Sequence, residues 1–138
     1  MDYRYQRSAV SYQLSSKSAV KNYRDLAIWE RSHALTLKVY AVTNAFPKDE
    51  LFGLTSQIRR AVVSIPANIA EGCGRDSDAE LKRFLDIAHG SASEVEYFLI
   101  LTKELGYMPM IEAEALSTEI GQIKRMLGAF SRKLKADR

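Results

Sequence analysis

The stretch from Gln57 to Gly72, QIRRAVVSIPANIAEG, most constrains what this chain can fold into. Apolar residues recur there every three or four positions, the spacing of one face of an α-helix. This face comprises Leu54, Ile58, Ala61, Val62, Ile65 and Ile69. A further side carries small apolar residues, namely Val63, Ala67 and Ala70. A helix that is apolar on two sides is predicted to be central, with neighbours packed on several sides.

A polar stripe runs between these two apolar sides. Its members fall within an arc of about 80° at helical spacing, and they are Gln57, Arg60, Ser64, Asn68 and Glu71. Most carry compact hydrogen-bonding groups rather than long hydrated chains. Such groups, flanked by apolar neighbours, are usually satisfied inside the protein. Two interpretations stay open: a buried network that fixes helix register, or a groove for a partner such as RNA, a peptide or a small anion.

Pro66 lies inside this pattern. A proline in a helix interior removes one backbone donor and costs about 3 kcal/mol. The carbonyl of Val62 would therefore need another donor. The apolar register continues across Pro66, which favours one kinked helix over two helices that meet at Ser64.

Length and cysteine content limit the class of protein. A chain of 138 residues fits one domain with a real core. Its one cysteine, Cys73, excludes an internal disulfide framework and fits a reducing compartment. No apolar run is long enough to span a bilayer, and no apolar signal core begins the sequence. We therefore expect a cytoplasmic protein without membrane association.

Helical periodicity outside the central stretch predicts three further helices. We expect the first over Asp25–Phe46, the third from the capping box at Ser77 to about Leu105, and the fourth from Pro109 onward. Short links between long helices predict an all-α, antiparallel up-down-up-down four-helix bundle over 23–138. Residues 1–22 lack sustained periodicity and are expected to form a mobile arm.

The first helix carries more apolar residues than one small core needs. One row is Leu26, Trp29, His33, Leu37 and Tyr40, and another is Ile28, Leu35, Val39, Val42 and Phe46. The excess indicates that this helix also faces another copy of the chain. The third helix has a comparable second row and a run of small residues, Gly90-Ser91-Ala92-Ser93, that would let a neighbour approach closely.

Catalytic patterns are weak in this sequence. Glu30 with His33, and Asp86 with His89, partly match the Glu-x-x-His pairs of di-metal carboxylate bundles, and Glu71 could add a ligand. The second pair has the shorter Asp, however, and accidental matches to this spacing are frequent. His33 is instead predicted to be a core histidine. Ser64 and Cys73 lack a sequence-evident activating base. We therefore predict no catalytic residues, no metal and no cofactor.

The basic residues concentrate at the chain ends. Residues 1–24 hold five bases and one acid, residues 124–138 hold six bases and one acid, and the segment between them is acidic. An alternative function is therefore binding of RNA or DNA through the basic ends. The candidate contacts are Arg132, Lys133 and Lys135.

Several motifs resemble one family of bacterial four-helix bundles. They are Tyr23-Arg24-Asp25-Leu26 with Trp29, Phe46-Pro47, Gly53-Leu54, QIRRAVVSIPANIAEG at 57–72, Arg83-Phe84-Leu85 and Ala88-His89-Gly90-Ser91. This family comprises proteins encoded in the intervening sequences of 23S ribosomal RNA genes. The accessory proteins of diversity-generating retroelements are related to it.

The resemblance implies a ring-shaped homopentamer of antiparallel four-helix bundles. Its motif positions map to Arg59, Arg60, Ser64, Asn68, Glu71 and Gly72. The retroelement relatives are strongly basic and bind nucleic acid, whereas the body of this chain is acidic. We therefore expect a non-enzymatic homo-oligomer that acts as a scaffold or binding accessory, with RNA, DNA or another protein as potential partners.

Overall fold

The computed structural model describes residues 22–134 and shows an all-α, four-helix bundle. Within that range the helices are α1 Ala27–Thr43, α2 Leu54–Cys73, α3 Asp78–Glu104 and α4 Met110–Lys133, with 3-10 turns at Tyr23–Asp25 and Lys48–Glu50. α2 packs against α1 on one side and α3 on the other, and α4 packs against α3 and α1. The described residues include no strand, so the predicted fold class is confirmed.

The predicted helix boundaries are close to the observed ones, except in the first helix. Ser77 caps α3, because its Oγ accepts the Glu80 amide at 3.2 Å, and Gly106 follows α3 with a φ of 75°. α1 is shorter than predicted at both ends. Asp25 belongs to the preceding 3-10 turn, and extended Leu26 separates that turn from α1. Beyond Thr43, the amides of residues 44–46 bond three residues back, so the chain tightens before Pro47.

The bundle core is built from the predicted apolar rows. The α3 row is buried throughout and consists of Leu81, Leu85, Ala88, Ala92, Val95 and Leu99. The α4 row is also buried and consists of Leu116, Ile120, Ile123, Leu127, Phe130 and Leu134. Both rows belong to one core with the apolar face of α2, whose isoleucines Ile58, Ile65 and Ile69 have no exposed surface. Burial of these side chains supplies most of the driving force for folding.

α2 is continuous through Pro66, as the unbroken apolar register predicted. Pro66 has no N–H, so the carbonyl of Val62 loses its donor within the helix. Thr36 of α1 compensates with a shared bond: its one hydroxyl hydrogen lies between the Val62 carbonyl oxygen, 3.2 Å from Oγ1, and the Ser32 carbonyl oxygen, 2.8 Å from it. A side chain from the neighbouring helix thus supplies the bond that the proline removes.

The two connections at one end of the bundle are tied together by Glu50. Its carboxylate accepts the Tyr107 hydroxyl at 3.0 Å and the backbone amide of Leu54, the first residue of α2, at 3.1 Å. The rings of Phe46 and Tyr107 pack with centroids 5.6 Å apart. The α1–α2 and α3–α4 connections therefore share one end, and Asn22 and Leu134 lie toward the opposite end.

Residues 1–21, which form nearly all of the predicted arm, lie outside the described residues. Between residues 22 and 134, no helix combines the length and the apolar character that crossing a bilayer requires.

The Thr36 contact predicts a specific coupling with Pro66. Thr36→Val should leave the Val62 carbonyl without a donor and lower the free energy of unfolding by about 1–2 kcal/mol. In a Pro66→Ala background the loss should shrink, because alanine at that position would restore the helical N–H. Urea unfolding of the four proteins at one fixed concentration measures this coupling. Equal losses in both backgrounds would show that Thr36 does not serve the carbonyl.

The Glu50 contact predicts an altered titration of Tyr107. The hydrogen bond to Glu50 raises the pKa of Tyr107, because it favours the protonated hydroxyl, and partial burial acts in the same direction. The contact thus stabilises the fold fully below the ordinary tyrosine pKa of about 10, and this stabilisation is lost as pH rises through the folded-state pKa.

We expect ultraviolet difference titration against Tyr107→Phe to show that Tyr107 ionises at a higher pH than an ordinary tyrosine. Glu50→Gln should lower this pKa, since it removes the charge while keeping an acceptor for the Leu54 amide. An unchanged pKa in Glu50→Gln would assign the shift to another cause.

Candidate functional site

The middle of the α2 polar stripe contacts α3. Ser64 Oγ lies 2.8 Å from Ser91 Oγ. The Asn68 amide donates to the Ser64 carbonyl at 2.7 Å and to its Oγ at 2.9 Å. Ser64 and Asn68 are half-buried. Three small polar side chains therefore satisfy one another where α2 crosses α3, which is the arrangement that lets two helices approach closely.

The ends of the stripe are exposed. Gln57, Arg60 and Glu71 all project to solvent, and Glu71 pairs at 2.5 Å with Arg75, which lies just after α2. The hypothesis of one buried network that joins Arg60 to Glu71 is wrong within the single chain. Eleven residues separate them, about 16 Å along the helix, and only the middle of this span faces α3.

Arg59 secures the end of α1. Its Nε donates to Thr43 Oγ1 at 2.8 Å, and its Nη2 donates to Asn44 Oδ1 at 3.2 Å. The guanidinium also lies over the Tyr40 ring, 4.8 Å from the centroid. A cation at a helix C-terminus is favoured by the helix dipole. Arg59 is thus a cross-link between α1 and α2 rather than a free cation.

Apolar side chains are exposed on the outer side of α1 and α2. Leu37 is 59% exposed and Val63 39%, and Tyr40 and Ala67 are exposed too. The Arg59–Tyr40 contact fixes their register. Leu37 precedes Tyr40 by three residues, Val63 follows Arg59 by four, and the helices are antiparallel, so Leu37 and Val63 lie at the same height. We call Leu37, Tyr40, Val63 and Ala67 the α1–α2 apolar face.

His33 is not a core residue, contrary to the sequence-based prediction. It is exposed one turn before Leu37 and stacks on Trp29, with ring centroids 4.9 Å apart. Its position on the outer row, rather than on the row of Leu35 and Val39, accounts for the exposure. The predicted division of α1 into two apolar rows is nonetheless observed, because Leu35 and Val39 are fully buried.

The outer side of α3 also carries exposed apolar residues, although the exposed charged residue Glu94 lies among them. Ile87 and Tyr97 are 41% and 56% exposed, and Gly90 lies between them on the same side. A Cβ at Gly90 would meet no atom within 4 Å. A helix-interior glycine costs about 1 kcal/mol relative to alanine, and no packing among the described residues explains this one. Gly72 differs, since a Cβ there would come within 2.9 Å of Leu81 and Phe84.

A further apolar patch lies at the end of the bundle that holds the two short connections. Phe52 is 94% exposed and Ile111 is 83% exposed, and their neighbours Leu51 and Met110 are also exposed. Helical periodicity did not predict this patch. Consecutive apolar pairs beside turns, Leu51-Phe52 and Met110-Ile111, were the signal that could have identified it.

An open groove of about 660 Å³ runs between α3 and α4. Three of its lining residues are the cations Lys124, Arg125 and Arg132, all from α4. From α3, Glu96 and His89 face them, and Lys124 pairs with Glu96 at 2.9 Å. Of the predicted nucleic-acid contacts, Arg132 lines this groove. Lys133 is exposed outside the lining, and Lys135 lies beyond the described residues.

Polar cross-links that the sequence analysis did not predict join α4 to its neighbours. Lys82 Nζ donates to Ser131 Oγ at 2.8 Å, and Ser131 donates to Asp86 Oδ1 at 2.8 Å. Arg31 of α1 pairs with Glu119 at 2.9 Å and also contacts Gln122 and Met126. Every deeply buried side-chain nitrogen or oxygen between residues 22 and 134 has a hydrogen-bond partner.

The di-metal hypothesis finds no geometric support. In the described part of the chain, no three His, Cys, Asp or Glu side chains converge as metal ligands would. Asp86 instead accepts a bond from Ser131, and Glu71 pairs with Arg75. Ser64 contacts only other small polar groups, and Cys73 is buried.

Comparison with known proteins agrees with the resemblance seen in the sequence. The family model for the 23S rRNA-intervening sequence protein matches residues 24–129. No curated protein matches the sequence. Among solved structures, a protein of unknown function from the S23 ribosomal protein family of Bacteroides thetaiotaomicron has a TM-score of 0.70 and 24% identity. The match covers 76% of this chain and 95% of that one, and it shows a shared fold. The chain belongs to the family of 23S rRNA-intervening sequence proteins.

Proposed function

We propose that this protein is a non-enzymatic, cytosolic homo-oligomer that acts as a scaffold or binding accessory. The observation that carries the proposal is the pair of exposed apolar surfaces on adjacent helices. One is the α1–α2 apolar face, and the other is the outer side of α3 around Gly90. Clusters of exposed apolar side chains typically mark sites of protein association.

The two surfaces are on different helices, which favours one type of assembly. When one surface of a copy packs on a different surface of the next copy, the contact is heterologous, and it closes into a ring when the rotation between successive copies divides a full turn. Gly90 suits this arrangement, because the bare backbone of α3 would admit an apolar side chain such as Leu37 or Val63 at short distance. The number five is an expectation from the family resemblance.

Energetics favour burial of these side chains. Covering apolar surface stabilises a complex by about 25 cal/mol per Å², so each half-exposed Leu, Val or Tyr contributes on the order of 1 kcal/mol. Several copies of such a contact in a closed ring offset the entropy lost on association. The one cysteine of the chain, buried Cys73, supports the assignment to the reducing cytosol.

Charge substitutions in the α1–α2 apolar face test the oligomer. The wild type should scatter light as a stable oligomer at micromolar concentration. Leu37→Glu and Val63→Glu should shift it toward monomer, because each would place a charge in the contact. Ile111→Glu is the matched control: it charges an even more exposed apolar residue at the bundle end and should leave the oligomer intact.

Two outcomes would contradict this proposal. A wild-type monomer would remove the oligomer altogether. If Ile111→Glu dissociated the oligomer and Leu37→Glu did not, the contact between copies would lie at the bundle end instead. Circular dichroism of each variant confirms that α-helical structure is retained.

The middle of the polar stripe is proposed to fix the register of α2 on α3 rather than to bind a ligand. The short Ser64–Ser91 contact supports this interpretation. In a double-mutant cycle, Ser64→Ala and Ser91→Ala should show a coupling of about 0.5–1.5 kcal/mol in the free energy of unfolding. A coupling free energy near zero, with additive effects of the two substitutions, would favour the alternative in which the stripe binds a partner.

A further inference from the structure

The groove between α3 and α4 contains a repeated element of α4. Gly121 and Arg125 are four residues apart, as are Gly128 and Arg132, and the two pairs are seven residues apart. A seven-residue spacing returns to almost the same side of a helix, about 10 Å further along its axis. Beside Lys124 and Ala129, the α4 side of the groove is therefore lined by two glycines and two arginines in alternation.

Each arginine lies back over the glycine that precedes it. Arg125 Nη1 is 3.8 Å from the position that a Cβ on Gly121 would take, and Arg132 Nη1 is 3.2 Å from that of Gly128. Long side chains of a helix point toward its N-terminus, which explains this direction. The absent side chains leave room for the guanidinium groups along bare backbone, where a ligand in the groove can reach them.

The charge of this groove is not neutralised within the described chain. Glu96 is paired with Lys124 at 2.9 Å. Asp86, on the α3 side, accepts a bond from Ser131, and Lys82 bonds to Ser131 as well. Arg125, Arg132 and His89 form no hydrogen bond or ion pair with any residue from 22 to 134. Two arginines and a histidine are thus available in an otherwise acidic helical body.

We propose that this groove binds an oligophosphate, a ligand with two or more linked phosphate groups. Arg125 and Arg132 each hold one phosphate, since the planar guanidinium matches phosphate oxygens with two parallel hydrogen bonds. His89 donates a third bond from α3. Arg125 and Arg132 start about 10 Å apart along the axis of α4, a spacing that suits a chain of phosphates better than a single phosphate.

The same chemistry could come from a free oligophosphate, from the phosphate tail of a nucleotide, or from a nucleic-acid backbone. The groove favours the small ligand, because it has the volume of a small-molecule site and its free cations are confined to two turns of one helix. It shares no residue with the α1–α2 apolar face, so occupation of one does not require the other.

Calorimetric titration with tripolyphosphate tests the proposal on the full-length protein. We expect saturable binding with one site per chain, at least about tenfold tighter than for inorganic phosphate, which can make one arginine contact instead of two. Arg125→Gln and Arg132→Gln should each weaken binding by about tenfold or more. Lys133→Gln is the matched control: it removes an equal charge from the adjacent residue, outside the groove lining, and should leave the affinity within about twofold.

A glycine substitution gives a second test that keeps every charge. Gly128→Ala should shift the Arg132 guanidinium by a few tenths of an ångström, because its Nη1 would lie 3.2 Å from the new Cβ, and should weaken tripolyphosphate binding less than Arg132→Gln does. Gly121→Ala should have a smaller effect, because its 3.8 Å contact with Arg125 is an ordinary one. Both changes raise helix propensity, so lost binding would not reflect unfolding.

Three results would overturn the proposal. The first is that tripolyphosphate shows no saturable binding. The second is that Lys133→Gln and Arg132→Gln weaken tripolyphosphate binding equally. The third is that single-stranded RNA binds tightly through Arg125 and Arg132 and that tripolyphosphate does not compete with it. The last would assign the groove to a nucleic-acid backbone. Competition among tripolyphosphate, a nucleoside triphosphate and a short RNA distinguishes the sources, and the proposal requires tripolyphosphate alone to suffice.

Discussion

The bundle depends on the carbonyl that Pro66 leaves without a helical donor. A buried carbonyl without a partner costs about 1–3 kcal/mol, so α2 can keep its proline only if another element supplies a donor. Thr36 does so from α1, at 3.2 Å from the Val62 oxygen. This requirement fixes the height of α1 against the middle of α2. Placement of Arg59 over Tyr40 and of Leu37 beside Val63 follows from the same register.

Each pair of neighbouring helices carries its own polar cross-link across an apolar core. Thr36 and Arg59 join α1 to α2, and Ser64 joins α2 to α3 through Ser91. Ser131 joins α3 to α4, and Arg31 joins α1 to α4. Half-exposed ion pairs such as Arg31–Glu119 add little to stability. These cross-links instead fix the register of neighbouring helices. Two apolar rows can slide past each other by one turn and still pack, whereas a hydrogen bond between two helices would break.

Sequence periodicity was sufficient to predict the four helices and the rows that form their core. It also showed that Val62 would need a donor, since this follows from local backbone chemistry. The donor itself, Thr36, was not predictable, because it depends on the height at which α1 meets α2. His33 was assigned to the core wrongly, since helical spacing separates two apolar rows but does not say which one faces inward. The groove was missed for a related reason: Gly121, Arg125, Gly128 and Arg132 have a visible repeat, but only the position of α3 opposite them turns it into a cavity.

The link from Glu50 to Tyr107 places both short connections at one pole of the bundle, together with exposed Phe52 and Ile111. The chain enters and leaves at the other pole, where the basic terminal segments attach. In any assembly with a single rotation axis, all copies point the same way. If the helices ran along that axis, one side of such a particle would display the apolar side chains of Phe52 and Ile111 and the other side the bundle ends at residues 22 and 134, so its two sides would differ in chemistry.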